Sequence, residues 1–187
     1  MNLMKCRFQN PNLRSCRQTI QKNLKFRRKT RNKYRRNCHR MHQNQINMNR
    51  DELNRFLEAQ EKDYATALAE IRNGSKRSHW MWYIFPQVKG LGFSGTSKYY
   101  AINDLDEAEA FMQHAVLGPR LVEICEALLQ LKSNNPNSIF GSPDDMKLRS
   151  SMTLFASLPN PDPIFQAVLD KYFNGEKDTK TLNLLNL

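Results

Sequence analysis

The sequence predicts an all-α fold: a compact single domain of about seven or eight short helices, preceded by a disordered basic extension. Apolar residues after position 50 recur at the three- and four-residue spacing of amphipathic helices. A capping side chain followed by proline marks helix starts at Ser142-Pro143 and Asp162-Pro163. No segment alternates convincingly between apolar and polar residues, as a half-buried strand would.

The extension is set apart by its charge. Residues 1–50 contain 15 of the 29 Lys and Arg and no acidic residue, whereas residues 51–187 contain 14 basic and 18 acidic residues, a net charge of −4. The low apolar content predicts a disordered arm over residues 1–47. Three interpretations stay open: a nucleic-acid-binding arm whose affinity falls with salt, an organellar transit segment, or a start set too far upstream. The last, with Met48 as the natural start, is preferred.

The remaining residues, 48–187, suit one all-helical domain. They lack the ~18-residue apolar run of a membrane span, so no membrane partner is predicted. Cys125 is the one cysteine after residue 50, which excludes an internal disulfide and favours a cytoplasmic location. No metal-ligand spacing is present, and neither a metal nor a cofactor is predicted. The three glycines of residues 90–95 lack the strand–helix context of a dinucleotide site.

The elements follow in chain order. Asn49 and Asp63 are the predicted caps of two successive helices, the second ending at Gly74. Residues 78–85 are apolar on nearly every face and fit either a buried strand or a short buried helix, of which the helix is favoured. Pro86 ends that element, because the residue before a proline avoids the helical region.

The second half consists of a glycine-rich loop over 89–97, a short aromatic element over 97–102, a loop over 133–138 and five helices. The residues that mark the starts of these helices are Asp104, Pro119 in a first turn, Ser142, Asp162 and Asp178.

Residues 77–87, RSHWMWYIFPQ, form an aromatic segment that holds both tryptophans of the chain. His79 can act as an acid, a base or a hydrogen-bond donor to a ligand phosphate, or be a structural histidine bonded to the backbone. Trp80 and Trp82 can stack on a ligand ring or pack in the core. Two positions apart on a helix they point about 200° from each other, so they cannot both face one ligand.

Other polar residues have two interpretations each. The side chains of Gln87, Ser94 and Ser97 can bind a substrate or cap the glycine-rich loop. Residues 144–147 read as the exposed first turn of a helix. Three hydroxyls in that otherwise apolar helix must either bond the preceding turn or face a cavity; they belong to Ser150, Ser151 and Thr153.

The string Ser78–Gln87, followed by Gly90-Leu91-Gly92 and then Ser94, Ser97 and Tyr100, closely resembles the family called domain of unknown function 1810. Further matches are residues 114–121, 139–141, 144–147 and 150–155, so that the resemblance covers about residues 51–187. It implies an all-helical fold of a type found in bacteria and fungi, with no established biochemical role. The matching polar positions are His79, Gln87, Ser94, Ser97, Lys147, Ser150, Ser151 and Thr153.

We hypothesise that these residues line one pocket for a small polar ligand, phosphorylated or nucleotide-like. Trp80 or Trp82 would stack on the ligand, His79 would donate or shuttle a proton as the candidate catalytic residue, and Lys147 would hold an anion. Whether a reaction follows is left open. The alternatives are a protein–protein interaction module with an exposed aromatic face, and a nucleic-acid binder that uses the basic tail.

Overall fold

The computed structural model describes residues 52–187. The proposed arm over 1–47, the start at Met48 and the Asn49 cap lie outside the described residues. Within 52–187 there are nine helices and no strand, which confirms the all-α class. The helices are α1 (52–72), α2 (Met81–Ile84), α3 (Gly95–Tyr99), α4 (Leu105–Gln113), α5 (Leu117–Gln130), α6 (Pro136–Phe140), α7 (Asp144–Phe155), α8 (Pro163–Phe173) and α9 (Thr179–Leu184).

Three predicted helix starts carry the expected caps. The side chains of Asp104, Asp162 and Asp178 accept backbone N–H groups at the first turns of α4, α8 and α9. A carboxylate there satisfies an otherwise unpaired N–H and opposes the positive end of the helix dipole. These three starts could be located from sequence because capping is local chemistry.

The predicted break at Asp63 is wrong, since α1 runs unbroken through it. The Asp63 carboxylate instead accepts a hydrogen bond from the Tyr83 hydroxyl at 2.5 Å. An aspartate costs a helix interior only a few tenths of a kcal/mol, so a partner elsewhere in the fold decides its role.

Three further boundaries differ from prediction. Ser142 does not cap α7, because Pro143 occupies the position before Asp144 and forms no side-chain cap. The loops expected over 89–97 and 133–138 each contain a helix start: Ser94 caps α3 and Asn135 caps α6. Both helices are short, and hydrophobic periodicity cannot detect a helix of so few residues.

The centre of the fold is α7, which packs against α4, α6, α8 and α9. One line of aromatic rings crosses the core from α1 to α8, with centroid separations of 5.2 Å for Phe56–Phe111, 5.6 Å for Phe111–Phe155 and 5.4 Å for Phe155–Phe165. Such pairs add to the free energy gained by burying the rings. Because this core fixes α7, side chains on its two faces have defined neighbours.

Among residues 52–187, no helix combines the length and apolar character needed to cross a bilayer. An isolated parallel bridge joins Val88 to Ile102 and closes the base of the glycine-rich loop.

Candidate functional site at the aromatic segment and helix α7

The turn between α1 and α2 is organised by the carboxylate of Glu70. One of its oxygens accepts the backbone N–H groups of Arg77 and Ser78 at 2.8 and 3.1 Å, and also the indole N–H of Trp80 at 2.8 Å. The other accepts the Ser78 hydroxyl at 2.5 Å. Four donors converge on one acceptor group, so the start of the aromatic segment has one conformation.

These contacts also shift the titration of Glu70. Desolvation by burial raises its pKa, but the hydrogen bonds from Arg77, Ser78 and Trp80 outweigh that effect and lower the pKa from 4.5 to about 2. The carboxylate is therefore ionised at any pH near neutrality.

The two tryptophans lie in different environments. Trp80 is fully buried, and its ring contacts those of Phe85 and Phe140 at 6.2 and 6.3 Å. It is a core residue, which leaves Trp82 as the indole that can meet a ligand. Trp82 is half-buried and packs against the edge of the core.

Trp82 contacts the first turn of α7 through Lys147, whose ammonium lies 3.8 Å from the centroid of the indole ring. The same ammonium is 2.7 Å from an oxygen of Asp144. The other oxygen of Asp144 lies 2.7 Å from the ammonium of Lys76, which is itself 5.0 Å from the Trp80 ring. We call Lys76, Asp144 and Lys147 the charged cluster.

The charged cluster is largely removed from solvent, with 7, 16 and 19 % of the side chains of Lys76, Asp144 and Lys147 exposed. Burial raises the pKa of Asp144, but its hydrogen bonds to Lys147 and Lys76 prevail and lower it. Two ammonium groups therefore share one carboxylate, and the cluster has a net positive charge.

Ser151 lies one turn after Lys147 on the same face of α7. Its hydroxyl is fully buried and has no hydrogen-bond partner among the described residues. An unpaired buried hydroxyl costs about 1–3 kcal/mol, so Ser151 does not stabilise the fold through a hydrogen bond among the described residues.

The other two hydroxyls of α7 lie on a different face and have structural partners. Ser150 donates to the Met146 carbonyl and contacts Asp178, both at 3.2 Å. Thr153 donates to the Arg149 carbonyl at 2.8 Å and accepts the Asp178 N–H at 2.9 Å. These groups join α7 to the start of α9 rather than to the aromatic segment.

The remaining candidates lie near the surface. His79 is exposed and forms no hydrogen bond with the described residues. The side chain of Gln87 is partly exposed and likewise forms none within 52–187. Ser94 and Ser97 bond to each other at the start of α3, where the Ser94 oxygen accepts the Ser97 N–H at 3.1 Å. The structure thus brings together Trp82 and Lys147, and the hydrogen bonds of Ser94 and Ser97 stay within their own loop.

The sequence reasoning missed Glu70 and Lys76, and it treated Asp144 as an exposed first-turn residue. One signal was present: residues 71–103 contain five Lys and Arg and no acidic residue. A buried indole N–H in that stretch needs an acceptor, and Glu70 is the nearest preceding carboxylate.

Within residues 52–187, no group of three or more His, Cys, Asp and Glu side chains is arranged to hold a metal ion. Cys125 is buried beside Met152, and burial raises the pKa of its thiol far above the ordinary value. It is therefore a core residue and not a nucleophile.

The fold and the cluster define the class of this protein: an all-α domain in which an aromatic segment packs on the first turn of the central helix. Residues 50–185 match the family described as "Protein of unknown function (DUF1810)", and the chain belongs to that family. It is similar to the conserved hypothetical protein Rv1873 from Mycobacterium tuberculosis, whose crystal structure superposes with a TM-score of 0.71 at 46 % sequence identity. The alignment covers 73 % of this chain and 97 % of that chain. No functionally curated protein matches the chain.

Proposed function

We propose that this protein binds a small ligand, either a neutral polar molecule or a phosphorylated or nucleotide-like one, between the aromatic segment and the first half of α7. A planar part of the ligand stacks on the accessible side of Trp82, and polar groups reach Lys147. The observation that carries the proposal is the Lys147 ammonium, 3.8 Å from the Trp82 ring and with one carboxylate oxygen as its hydrogen-bonded partner. An ammonium has three N–H donors, so it retains donors for a ligand.

The aromatic segment and α7 contain further polar groups that we propose for the same ligand. His79 and Gln87 are on the surface of the aromatic segment and have side chains without hydrogen-bond partners in the described range. The Ser151 hydroxyl is an unused polar atom one turn along α7. Sites of this type combine one aromatic surface with a few polar groups that fix orientation.

The experiment is a thermal-shift screen of the full chain against nucleotides and common metabolites. A ligand present at about 100 times its Kd should stabilise the protein by about 2.7 kcal/mol. Each ligand found is then tested by calorimetry against Lys147→Met and His79→Ala, with Lys132→Met as the control because Lys132 is an exposed lysine beyond α5.

Loss of binding in Lys147→Met and weakened binding in His79→Ala, with wild-type affinity in Lys132→Met, supports the proposal. His79→Ala should leave the melting temperature unchanged, since the side chain is exposed. A ligand that binds all three variants equally binds elsewhere and refutes this site.

A second candidate is the protein-interaction alternative, favoured by the 86 % exposure of Phe93 and the 59 % exposure of Tyr99. Exposed aromatic side chains are enriched at protein interfaces. The double variant Phe93→Ala/Tyr99→Ala should then lose co-purifying partners without losing stability. Nucleic-acid binding through residues 1–47 stays a prediction, tested by deletion of that segment.

A further inference from the structure

We infer that the ligand of this site is an anion, and that Asp144 sets how much negative charge the site accepts. This inference rests on the proposed function and adds the charge of the ligand to it. It depends on which hydrogen-bond donors and acceptors of the charged cluster already have partners.

The two lysines of the cluster are not equivalent. The Lys76 ammonium bonds both Asp144 and the carbonyl of Ser78, each at 2.7 Å, and only 7 % of its side chain is exposed. The Lys147 ammonium has Asp144 as its hydrogen-bonded partner, with 19 % of the side chain exposed. Lys147 therefore has more unused donor capacity and better access for a ligand.

The charge of the cluster is not balanced. Asp144 is the carboxylate between the two ammonium groups, with each oxygen committed to a different lysine. The carboxylate of Glu70 is also ionised, but among the described residues it forms no ion pair with either lysine, and its four hydrogen bonds come from Arg77, Ser78 and Trp80. A partly buried excess of positive charge is stabilised by a bound anion, because the low local dielectric strengthens the attraction.

The segment that carries Lys76 and Trp82 has the same sign. Residues 71–103 carry five basic residues and no acidic one, although residues 51–187 have a net charge of −4. A phosphate or carboxylate that shares the Lys147 ammonium with Asp144 would meet this excess of positive charge.

Asp144 then determines how much negative charge a bound ligand can carry. While it is present, one added negative charge neutralises the cluster, and a second is repelled. Removing its charge leaves two ammonium groups for the anion, so Asp144→Asn should bind anions more tightly and prefer a more highly charged ligand.

The test uses the fluorescence of the two tryptophans in the full chain. Trp80 is fully buried, so collisional quenching by ions reports on Trp82. Iodide and caesium are compared at equal ionic strength, and neutral acrylamide checks that the exposure of Trp82 is the same in every variant. Inorganic phosphate is then added as a competitor.

Iodide should quench at least about twofold more strongly than caesium in the wild-type chain, and phosphate should reduce quenching by iodide. The ratio of iodide to caesium quenching should fall in Lys147→Met, rise in Asp144→Asn and stay at the wild-type value in Lys132→Met. A wild-type ratio near one, or a ratio unchanged in Lys147→Met, overturns the inference. A lower ratio in Asp144→Asn with unchanged acrylamide quenching does so as well.

Failure of the inference can be told from failure of the proposed function. If the quenching ratio is near one and a neutral ligand is found whose binding requires Lys147, the proposed function is supported. The inference that the ligand is an anion is then refuted. A strong iodide preference with no stabilising ligand in the thermal-shift screen supports the charge assignment and refutes the function.

Discussion

The two faces of α7 carry the same kinds of residue and use them differently. Towards α9, the hydroxyls of Ser150 and Thr153 have partners in the main chain and in Asp178. Towards the aromatic segment, Lys147 retains donors and the Ser151 hydroxyl is unpaired among the described residues. One face joins helices, and the other has polar groups without partners among the described residues.

Each face is also fixed by a different carboxylate outside α7. Asp178 caps α9 on one side, and Glu70 fixes the aromatic segment on the other. If the two faces differ in this way, removing either carboxylate should destabilise the protein. Removing a polar group of α7 that has no partner should cost little stability. The predictions below test this from the largest effect to the smallest.

The largest effect is expected for Glu70→Ala. The substitution leaves the buried indole N–H of Trp80 and the N–H groups of Arg77 and Ser78 without their acceptor. Hydrogen bonds to a charged group contribute about 1.5–3 kcal/mol each, and water can replace some of them. We expect a loss of about 3 kcal/mol in the free energy of unfolding, measured by urea denaturation.

The matched control is Glu61→Ala, an exposed position on the same helix. It should change the free energy of unfolding by less than about 0.5 kcal/mol. Equal effects in both variants would mean that Glu70 does not fix the aromatic segment.

Next in size is Asp178→Ala, at about 2 kcal/mol. The carboxylate accepts the Thr181 N–H at 2.9 Å and the Thr181 hydroxyl at 2.6 Å, and it also contacts Ser150. Losing a cap costs about 0.5–2 kcal/mol, and the buried hydroxyls add to it. Thermal unfolding should show a decrease of about 4–8 °C in Tm.

Asp178→Asn is the informative partner variant, since an asparagine oxygen can still cap the helix. It should recover much of the lost stability. If stability is not recovered, the charge of Asp178, rather than its capping hydrogen bond, stabilises the start of α9 beside α7.

The pH dependence of stability follows from Glu70. Its pKa is lowered from 4.5 to about 2 in the folded chain, so its contribution is complete above pH 4.5 and is lost as the pH falls towards 2. Allowing for solvent screening of a partly exposed group, the loss is about 1–2 kcal/mol.

Denaturation of the wild type and Glu70→Gln at several pH values measures this contribution. The difference between the two should shrink as the pH falls from 5 to 2. A difference that is constant over this range would contradict the assignment.

The smallest effects compare two hydroxyls of α7 directly. Thr153→Val removes the acceptor of the Asp178 N–H and should cost about 1 kcal/mol. Ser151→Ala removes an unpaired buried hydroxyl and should be neutral or slightly stabilising. If Ser151→Ala costs as much as Thr153→Val, then Ser151 has a structural partner and the difference between the faces disappears.

The sequence predicted those parts of the fold that depend on local chemistry. Asp104 and Asp162 were predicted as caps, and Asp178 as the start of the last helix, because the acceptor lies within a few residues of its donor. Asp63 was misread for the converse reason, since its partner Tyr83 is 20 residues away. The role of a polar residue inside a long helix is decided by tertiary packing, which a single sequence does not reveal.

For the candidate site, the sequence analysis assigned Trp82 and Lys147 to one hypothetical pocket but did not predict that they contact each other directly. Residue types and spacing indicated which groups were unusual, and their 65-residue separation concealed the contact. Separation along the sequence also concealed the ion pair between Lys76 and Asp144, because their side chains come together only when α7 packs on the aromatic segment. Ser150 and Thr153 matched the family pattern as well as Ser151 did, and only the geometry separates them.

The way Glu70 fixes the turn has a consequence for how this family can diversify. Two of its four donors are main-chain N–H groups, at Arg77 and Ser78, and both are present whatever amino acid other than proline occupies position 77. The outward side chains of Arg77 and His79 can therefore be exchanged without altering the backbone that carries them. New recognition chemistry can arise at this edge of the domain by single substitutions, with the scaffold beneath left intact.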